Sequence, residues 1–227
     1  MEPSGAIVIL LGAGAGRRLG AAEPKVLLSI GGRPMLGIAA AASPLVGGLV
    51  VTFPPGWEGG ARSCVEDLGV PVDLVEGGDS RQASVGAALA KVPGQVGIVA
   101  VHDAARPFAS PELFARVIQA VADGADGAVP VLAVTDTVLR VRGETVEGTE
   151  PRDELALGQT PQAFRTSVLR EAHAKADVAG ASFTDDASML RWAGFDVRAI
   201  PGDPANVKIT TIADLAHADR RMGGEDA

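Results

Sequence analysis

Ala6-Ile7-Val8-Ile9-Leu10-Leu11-Gly12-Ala13-Gly14-Ala15-Gly16-Arg17-Arg18 is the stretch from which the fold class is read. Its apolar run, Ala6–Leu11, is too short to span a membrane and has the unbroken character of a strand covered on both faces. A Gly-rich turn follows at once, the arrangement in which backbone N–H groups come close to a phosphate. Two familiar loops are excluded. A Gly-x-Gly-x-x-Gly fingerprint begun at Gly12 puts Arg17 in its last glycine position, and begun at Gly14 puts Leu19 there. A P-loop ends in Gly-Lys-Ser/Thr, whereas Lys25 follows Pro24. Neither a nicotinamide-dependent reductase nor a P-loop hydrolase is supported.

Outward from this stretch, short apolar runs alternate with helical patterns. Strands are expected at residues 48–52, 72–75 and 97–101, and helices at 34–42, 57–68, 81–90 and Pro111–Ala122. The last has Leu113, Val117, Ile118 and Val121 on one face, Pro111 at its first position and Ser110 as cap. The rhythm breaks after Pro130. Residues 135–147 read as a β-hairpin turning at Arg142-Gly143-Glu144, within an arm over about residues 134–153. Helices return at 166–177, 185–193 and 212–221, with a strand at 195–200. The expectation is one α/β domain over residues 1–227, its mostly parallel sheet flanked by helices and its ligands beyond the carboxyl ends of the strands.

Charge and composition narrow the function. The chain has 227 residues, with 20 Lys+Arg against 28 Asp+Glu and a net charge of -8, which excludes a generally basic nucleic-acid binder. The lone Cys64 excludes a disulfide framework and a Cys-rich zinc module. No basic leader or membrane-length run opens the chain, so a soluble cytoplasmic protein is expected. Only four of the 20 basic residues are lysines: Lys25, Lys91, Lys175 and Lys208. In so Arg-biased a chain, a retained lysine hints at a need for a compact point charge.

Further segments carry chemistry-bearing residues at strand ends or helix starts. Gly77-Gly78-Asp79-Ser80-Arg81-Gln82-Ala83-Ser84 enters a helix, with Ser80 or Asp79 as cap. His102-Asp103-Ala104-Ala105-Arg106-Pro107-Phe108 places Asp103 where doubly wound sheets hold ligands, and where a carboxylate could bind a divalent metal; His102 reads as a packed strand-end residue. Thr184-Asp185-Asp186-Ala187-Ser188 reads as a capped helix start, and Asn206-Val207-Lys208-Ile209-Thr210-Thr211 sets a lysine in an extended apolar stretch. No Gly-x-Ser-x-Gly elbow or His/Cys/Glu ligand spacing occurs, so serine hydrolases and zinc enzymes drop out.

In this order, and together with Pro24-Lys25, Asp136-Thr137, Arg152 and Gln159-Thr160-Pro161-Gln162-Ala163-Phe164, these segments resemble the 2-C-methyl-D-erythritol 4-phosphate cytidylyltransferase family of the non-mevalonate isoprenoid pathway. The resemblance runs from about Ala6 to about Ala218. It implies a Rossmann-like nucleotidyltransferase fold with a projecting β-arm. It also implies that Gly12, Ala13, Gly14, Gly16, Gly78, Asp79 and Ser84 hold the cytidine of CTP. Arg18 and Lys25 would stabilise charge developing at the α-phosphate. Asp103, Arg106, Thr160, Thr184 and Lys208 would line the acceptor pocket, with Thr137 and Arg152 reaching it from the arm of a homodimeric partner. Mg2+ would be held mainly by the CTP phosphates, with Asp103 as a further ligand. The chain departs from the family pattern at Leu11-Gly12-Ala13, at Val26-Leu27 and at Leu139, where a lysine is common.

The implied reaction is attack of a phosphate oxygen of the acceptor on the α-phosphorus of CTP, with loss of pyrophosphate. That oxygen is already ionised near neutral pH, so no strong general base is needed; the requirement is to hold two repelling anions in line. The overall negative charge does not prevent it. Eight charges at ~20 Å in water cost about 1.7 kcal/mol per substrate charge before screening, whereas one cation at ~4 Å contributes about 4 kcal/mol. Two other readings are a cytidylyltransferase for a polyol phosphate such as ribitol 5-phosphate and a non-catalytic nucleotide-binding subunit. Ala105 leans away from the first, since polyol enzymes more often resemble His-Asp-Ala-Val-Arg-Pro-Phe there. The combination of Lys25, Arg152 and Lys208 leans away from the second. A fusion with the following pathway enzyme is not expected at this length.

Overall fold

The computed structural model describes residues 5–14, 23–43 and 47–224. The expectations placed on Gly16 and Arg18 therefore lie outside the described residues, as does the end of the C-terminal tail. In chain order the elements are β1 (Ala6–Leu11), β2 (Ser29–Ile30), β3 (Arg33–Pro34), α1 (Met35–Ala42), β4 (Leu49–Phe53), α2 (Glu58–Ser63), β5 (Val72–Glu76), α3 (Arg81–Leu89), β6 (Ile98–Asp103), α4 (Pro111–Ala122), β7 (Gly127–Ala133), β8 (Val138–Arg142), β9 (Thr145–Glu150), β10 (Ala156–Gly158), β11 (Gln162–Arg165), α5 (Thr166–Ala179), α6 (Asp186–Trp192), β12 (Val197–Pro201) and α7 (Ile212–Gly223).

The main sheet has the order β10-β7-β11-β6-β1-β4-β5, with β12 also on β7. It is parallel through β5, β4, β1 and β6 and again between β7 and β12. β11 runs antiparallel to both β6 and β7, and β10 antiparallel to β7, so the sheet is mixed though mostly parallel. Strand β1 lies between β4 and β6 and serves two cores by parity. Ala6, Val8 and Leu10 pack with α1 and α4 residues such as Leu36, Phe114 and Val117. Ile7 and Ile9 pack with Val85, Leu169 and Leu190 from α3, α5 and α6. Both faces of the strand are buried, as its unbroken apolar run requires.

Local chemistry sets the helix ends. The Ser110 hydroxyl accepts from Leu113 N–H at 3.2 Å, and Pro111 takes the first turn of α4. Helix α2 stops at Ser63, short of the expected residue 68; Gly59 and Gly60 within it weaken its propensity. The strand expected at 195–200 is shifted to Val197–Pro201. A short ribbon of β2 and β3 precedes α1, turning through Gly31 and Gly32 at φ 56° and 78°. Beneath it, Ile30, Met35 and Ile38 meet Ile209 and Ala218, a small core joining the segment after Lys25 to α7.

The arm is a separate two-stranded ribbon of β8 and β9. One face carries Leu139, Val141 and Val146, 47%, 55% and 56% exposed. On the rest of the ribbon, Arg142 pairs with Glu147 at 2.8 Å and Arg140 with Glu150. The arm interrupts what is otherwise a hairpin of the main sheet, because Ala133 at the end of β7 pairs with Ala156 at the start of β10.

Candidate active site

A cleft of about 610 Å3 lies beyond the carboxyl ends of the parallel strands, where sheets of this kind bind ligands. Leu11 ends β1 and Ala13 and Gly14 follow it, Thr52 and Pro54 come from the end of β4, Gly77 to Arg81 follow β5, and Asp103 ends β6. Lys25 and Val26, in a single turn of 3-10 helix, form part of another wall, as do Lys208 and Thr210 from the stretch before α7. A second hollow of about 580 Å3 on α5 and α6 is mostly apolar. Its charged pair, Glu171 and Lys175, is satisfied internally at 2.9 Å, so it lacks the converging polar groups of a reaction site.

The glycine loops approach one another through missing side chains. A Cβ on Gly12 would lie 2.5 Å from the Thr52 carbonyl oxygen, and one on Gly77 would collide with the Ala13 side chain. Gly12 donates its N–H to Thr52, to the carbonyl at 3.0 Å and to Oγ1 at 3.1 Å. Its contribution is therefore close packing and not an N–H aimed at a ligand. The Ser84 hydroxyl accepts from Gly78 N–H at 3.2 Å and donates to the Ser80 carbonyl at 2.9 Å, propping the second loop from beneath; Ser80 in turn caps α3. Asp79 stands exposed on the rim.

Charges converge on Asp103. Its Oδ2 accepts from Lys208 Nζ at 2.6 Å, and its Oδ1 faces Arg81 Nε at 3.4 Å. Burial pushes this carboxyl up, but the Arg81 and Lys208 charges outweigh it and hold it at about 2. Arg81 then reaches Asp186, whose Oδ2 accepts from Nη1 at 2.6 Å. With both oxygens of Asp103 engaged by cations, it does not fit as a metal ligand, and no group of three or more His, Cys, Asp or Glu among the described residues forms a metal site.

Behind Asp103 lies a buried polar layer. Burial pushes the His102 imidazole down to about 4, so it is neutral at pH 7. Its Nε2 faces the Arg106 carbonyl at 3.0 Å and therefore carries the proton, which leaves Nδ1 to accept from the Thr160 hydroxyl at 3.1 Å. The same Thr160 oxygen accepts from Asp103 N–H at 3.0 Å. Arg106 donates to the carbonyls of Asn206 and Gly158 at 2.8 and 3.3 Å, and Asn206 donates to the Thr160 carbonyl at 2.8 Å.

Among the expected site residues, the structure thus brings Ala13, Gly14, Lys25, Gly78, Asp79, Ser84, Asp103 and Lys208 to one cleft. Thr160 and Arg106 stand behind it, the Thr160 hydroxyl and both terminal nitrogens of Arg106 engaged by the fold while Arg106 Nε is buried without a partner, and Thr184 lies exposed outside it. Thr137 and Arg152 are exposed on the arm, where Arg152 donates to the Thr135 carbonyl at 2.7 Å. Of the two acids opening α6, Asp185 is the cap, accepting from Ser188 N–H at 2.9 Å, while Asp186 is buried on Arg81. Arg81 and Asp186 carried no role in the sequence reading; the arginine of the Gly-Gly-x-x-Arg run was the visible signal.

The sequence matches the family model described as IspD: 2-C-methyl-D-erythritol 4-phosphate cytidylyltransferase over residues 6–223. A curated 2-C-methyl-D-erythritol 4-phosphate cytidylyltransferase of Corynebacterium efficiens is 38% identical, over 94% of this chain and 92% of that protein. The bifunctional enzyme IspD/IspF of Solidesulfovibrio magneticus is 44% identical over 92% of this chain; the chain spans 55% of that relative's length. The crystal structure of the cytidylyltransferase from Thermus thermophilus superposes with a TM-score of 0.81 at 38% identity, covering 95% of this chain and 98% of that one. No helix among the described residues is long and apolar enough to cross a membrane.

Proposed function

This chain belongs to the 2-C-methyl-D-erythritol 4-phosphate cytidylyltransferase family, and from that membership we propose that it transfers the cytidylyl group of CTP to 2-C-methyl-D-erythritol 4-phosphate, giving 4-diphosphocytidyl-2-C-methyl-D-erythritol and pyrophosphate. The observation that carries the reading is the cleft itself: two glycine loops on one side, and Lys25, Lys208 and Arg81 gathered around the space they enclose. Such a space suits two anions that must be pressed together without a general base.

In this reading Ala13, Gly14, Gly78 and Asp79 contact the cytidine, while Gly12 and Ser84 shape the loops that do so. Lys25, with Arg18, stabilises charge developing on the α-phosphate oxygens. Lys208 draws in the acceptor phosphate. Mg2+ enters on the triphosphate, held mainly by its phosphate oxygens.

The arm is read as half of a dimer contact. Its exposed Leu139, Val141 and Val146 lack a core of their own, and a lone ribbon is marginal in water. A second copy exchanging arms would cover them and would carry Thr137 and Arg152 to the neighbour's acceptor site. In this reading residues 1–227 form one nucleotidyltransferase domain with its arm, acting in the cytoplasm.

The test is pyrophosphate release from CTP with Mg2+, run side by side with methylerythritol 4-phosphate and ribitol 5-phosphate. Release with the first supports the reading. Release with ribitol 5-phosphate alone overturns it.

A further inference from the structure

Asp186, Arg81, Asp103 and Lys208 form a chain of alternating charge, joined by contacts of 2.6, 3.4 and 2.6 Å. The residues come from α6, α3, the end of β6 and the stretch before α7, so the chain exists only in the folded protein. Side-chain exposure is lowest at Asp186, 2%, and highest at Lys208, 42%, with Arg81 at 23% and Asp103 at 13% between them. The two cations are therefore unlike. Arg81 is fixed between two buried carboxylates, a task its planar fork suits and a single ammonium does not. Lys208 ends a flexible stem at the solvent side, where it can exchange partners.

Lys208 already has an anion within the protein. To hold an acceptor phosphate it must either share its charge between that phosphate and Asp103 or give up the Asp103 contact, and a largely buried carboxylate deprived of its counter-charge is strongly disfavoured. Arg81 removes that obstacle, because it faces the other oxygen of Asp103 whether or not Lys208 stays. We propose that Arg81, anchored by Asp186, is a positioning residue for acceptor binding: it keeps Asp103 compensated and so frees Lys208 to engage the acceptor phosphate.

This rests on the proposed cytidylyl transfer and deepens it. Without Arg81, Lys208 is the one cation left within ion-pair distance of Asp103 among the described residues and is gripped harder, so the loss should fall on the acceptor and spare the nucleotide. Arg81→Gln is expected to raise the acceptor KM about tenfold, with the CTP dissociation constant, titrated calorimetrically without acceptor, moving less than about twofold. Arg81→Lys keeps the charge but cannot bridge both carboxylates, and should fall between Arg81→Gln and wild type. Asp186→Ala, which leaves Arg81 unanchored, should follow the pattern of Arg81→Gln. If Asp186→Ala does not fold, the two Arg81 variants carry the test. An unchanged acceptor KM overturns the proposal. So does parallel weakening of both substrates, which would make Arg81 a support of the nucleotide loop or of the fold. The split is read with whichever polyol phosphate the wild-type chain accepts, so a wrong acceptor defeats the functional reading without deciding this one.

Discussion

Gly77 and Ala13 touch across the mouth of the cleft so closely that no side chain fits on Gly77: a methyl placed there would collide with the Ala13 methyl. The loop after β1 and the loop after β5 thus share one van der Waals contact, and each fixes where the other can stand. Gly77→Ala is expected to push the loops apart and weaken CTP by about tenfold or more at native secondary structure. Ala13→Gly in the same background vacates the space and should recover most of the affinity. Calorimetric CTP titration of the single and double variants checks both statements.

Lys25 lines the cleft within one turn of 3-10 helix, directly after Pro24, so its backbone is held where the side chain borders the cleft. Lys25→Ala should lower kcat by about a hundredfold or more while leaving CTP affinity within a few-fold, because the charge matters most as negative charge builds on the α-phosphate. A raised CTP KM at unchanged kcat would contradict the role.

Stability should depend on His102 in a defined pH window. Folding lowers its pKa from 6.5 to about 4, chiefly through burial. The unfolded chain therefore takes up a proton first as pH falls, so the neutral form's contribution is complete above 6.5 and is lost between 6.5 and about 4. The full loss is about 3 kcal/mol at 1.36 kcal/mol per pH unit. Asp103 adds a loss of the same sign at lower pH, between 3.8 and about 2. In urea unfolding at a series of pH values, His102→Gln should be less stable at pH 7 yet flatter between 6.5 and 4. An equally steep variant would assign that dependence to other groups.

Lys25→Ala and Arg152→Ala homodimers should each be nearly inactive if Arg152 serves the partner's site while Lys25 serves its own. Mixed dimers would then hold one doubly damaged site and one intact site. With random exchange, activity should return to roughly a quarter of wild type. Tag pull-down verifies exchange; exchange without recovery would assign Arg152 to its own chain.

Much of this arrangement was legible from residues. The run Ala6–Leu11 is the strand it reads as, Pro111–Ala122 is the helix its caps dictate, and the Arg142-Gly143-Glu144 turn closes the arm with Gly143 at φ 58°. Strands β7, β10 and β11 were not legible. β7 contains Pro130, which offers no N–H to a ladder and argues against a strand inside a sheet. β10 and β11 are three and four residues long, set by pairing with β7 and β6 and not by a pattern of their own. The Gly31-Gly32 turn between β2 and β3 is a hairpin signal of the kind residues alone can carry. In the site, types and order of residues could be read, but not which polar atoms the fold already occupies. Nothing in Thr160 or Gly12 as letters says that Thr160 faces His102 or that the Gly12 N–H belongs to Thr52.

The pairing of Ala133 with Ala156 has a consequence for how such a chain can change. Because the two roots of the arm already face one another as neighbours in a hairpin, the intervening residues are an insertion that the sheet closes beneath. A tight turn in their place would leave every strand of the main sheet its partners. Length and sequence can therefore drift there without disturbing the layers on either side of β1. Whatever the arm contributes to acceptor choice is heritable apart from the nucleotide half, and one can be revised while the other is kept.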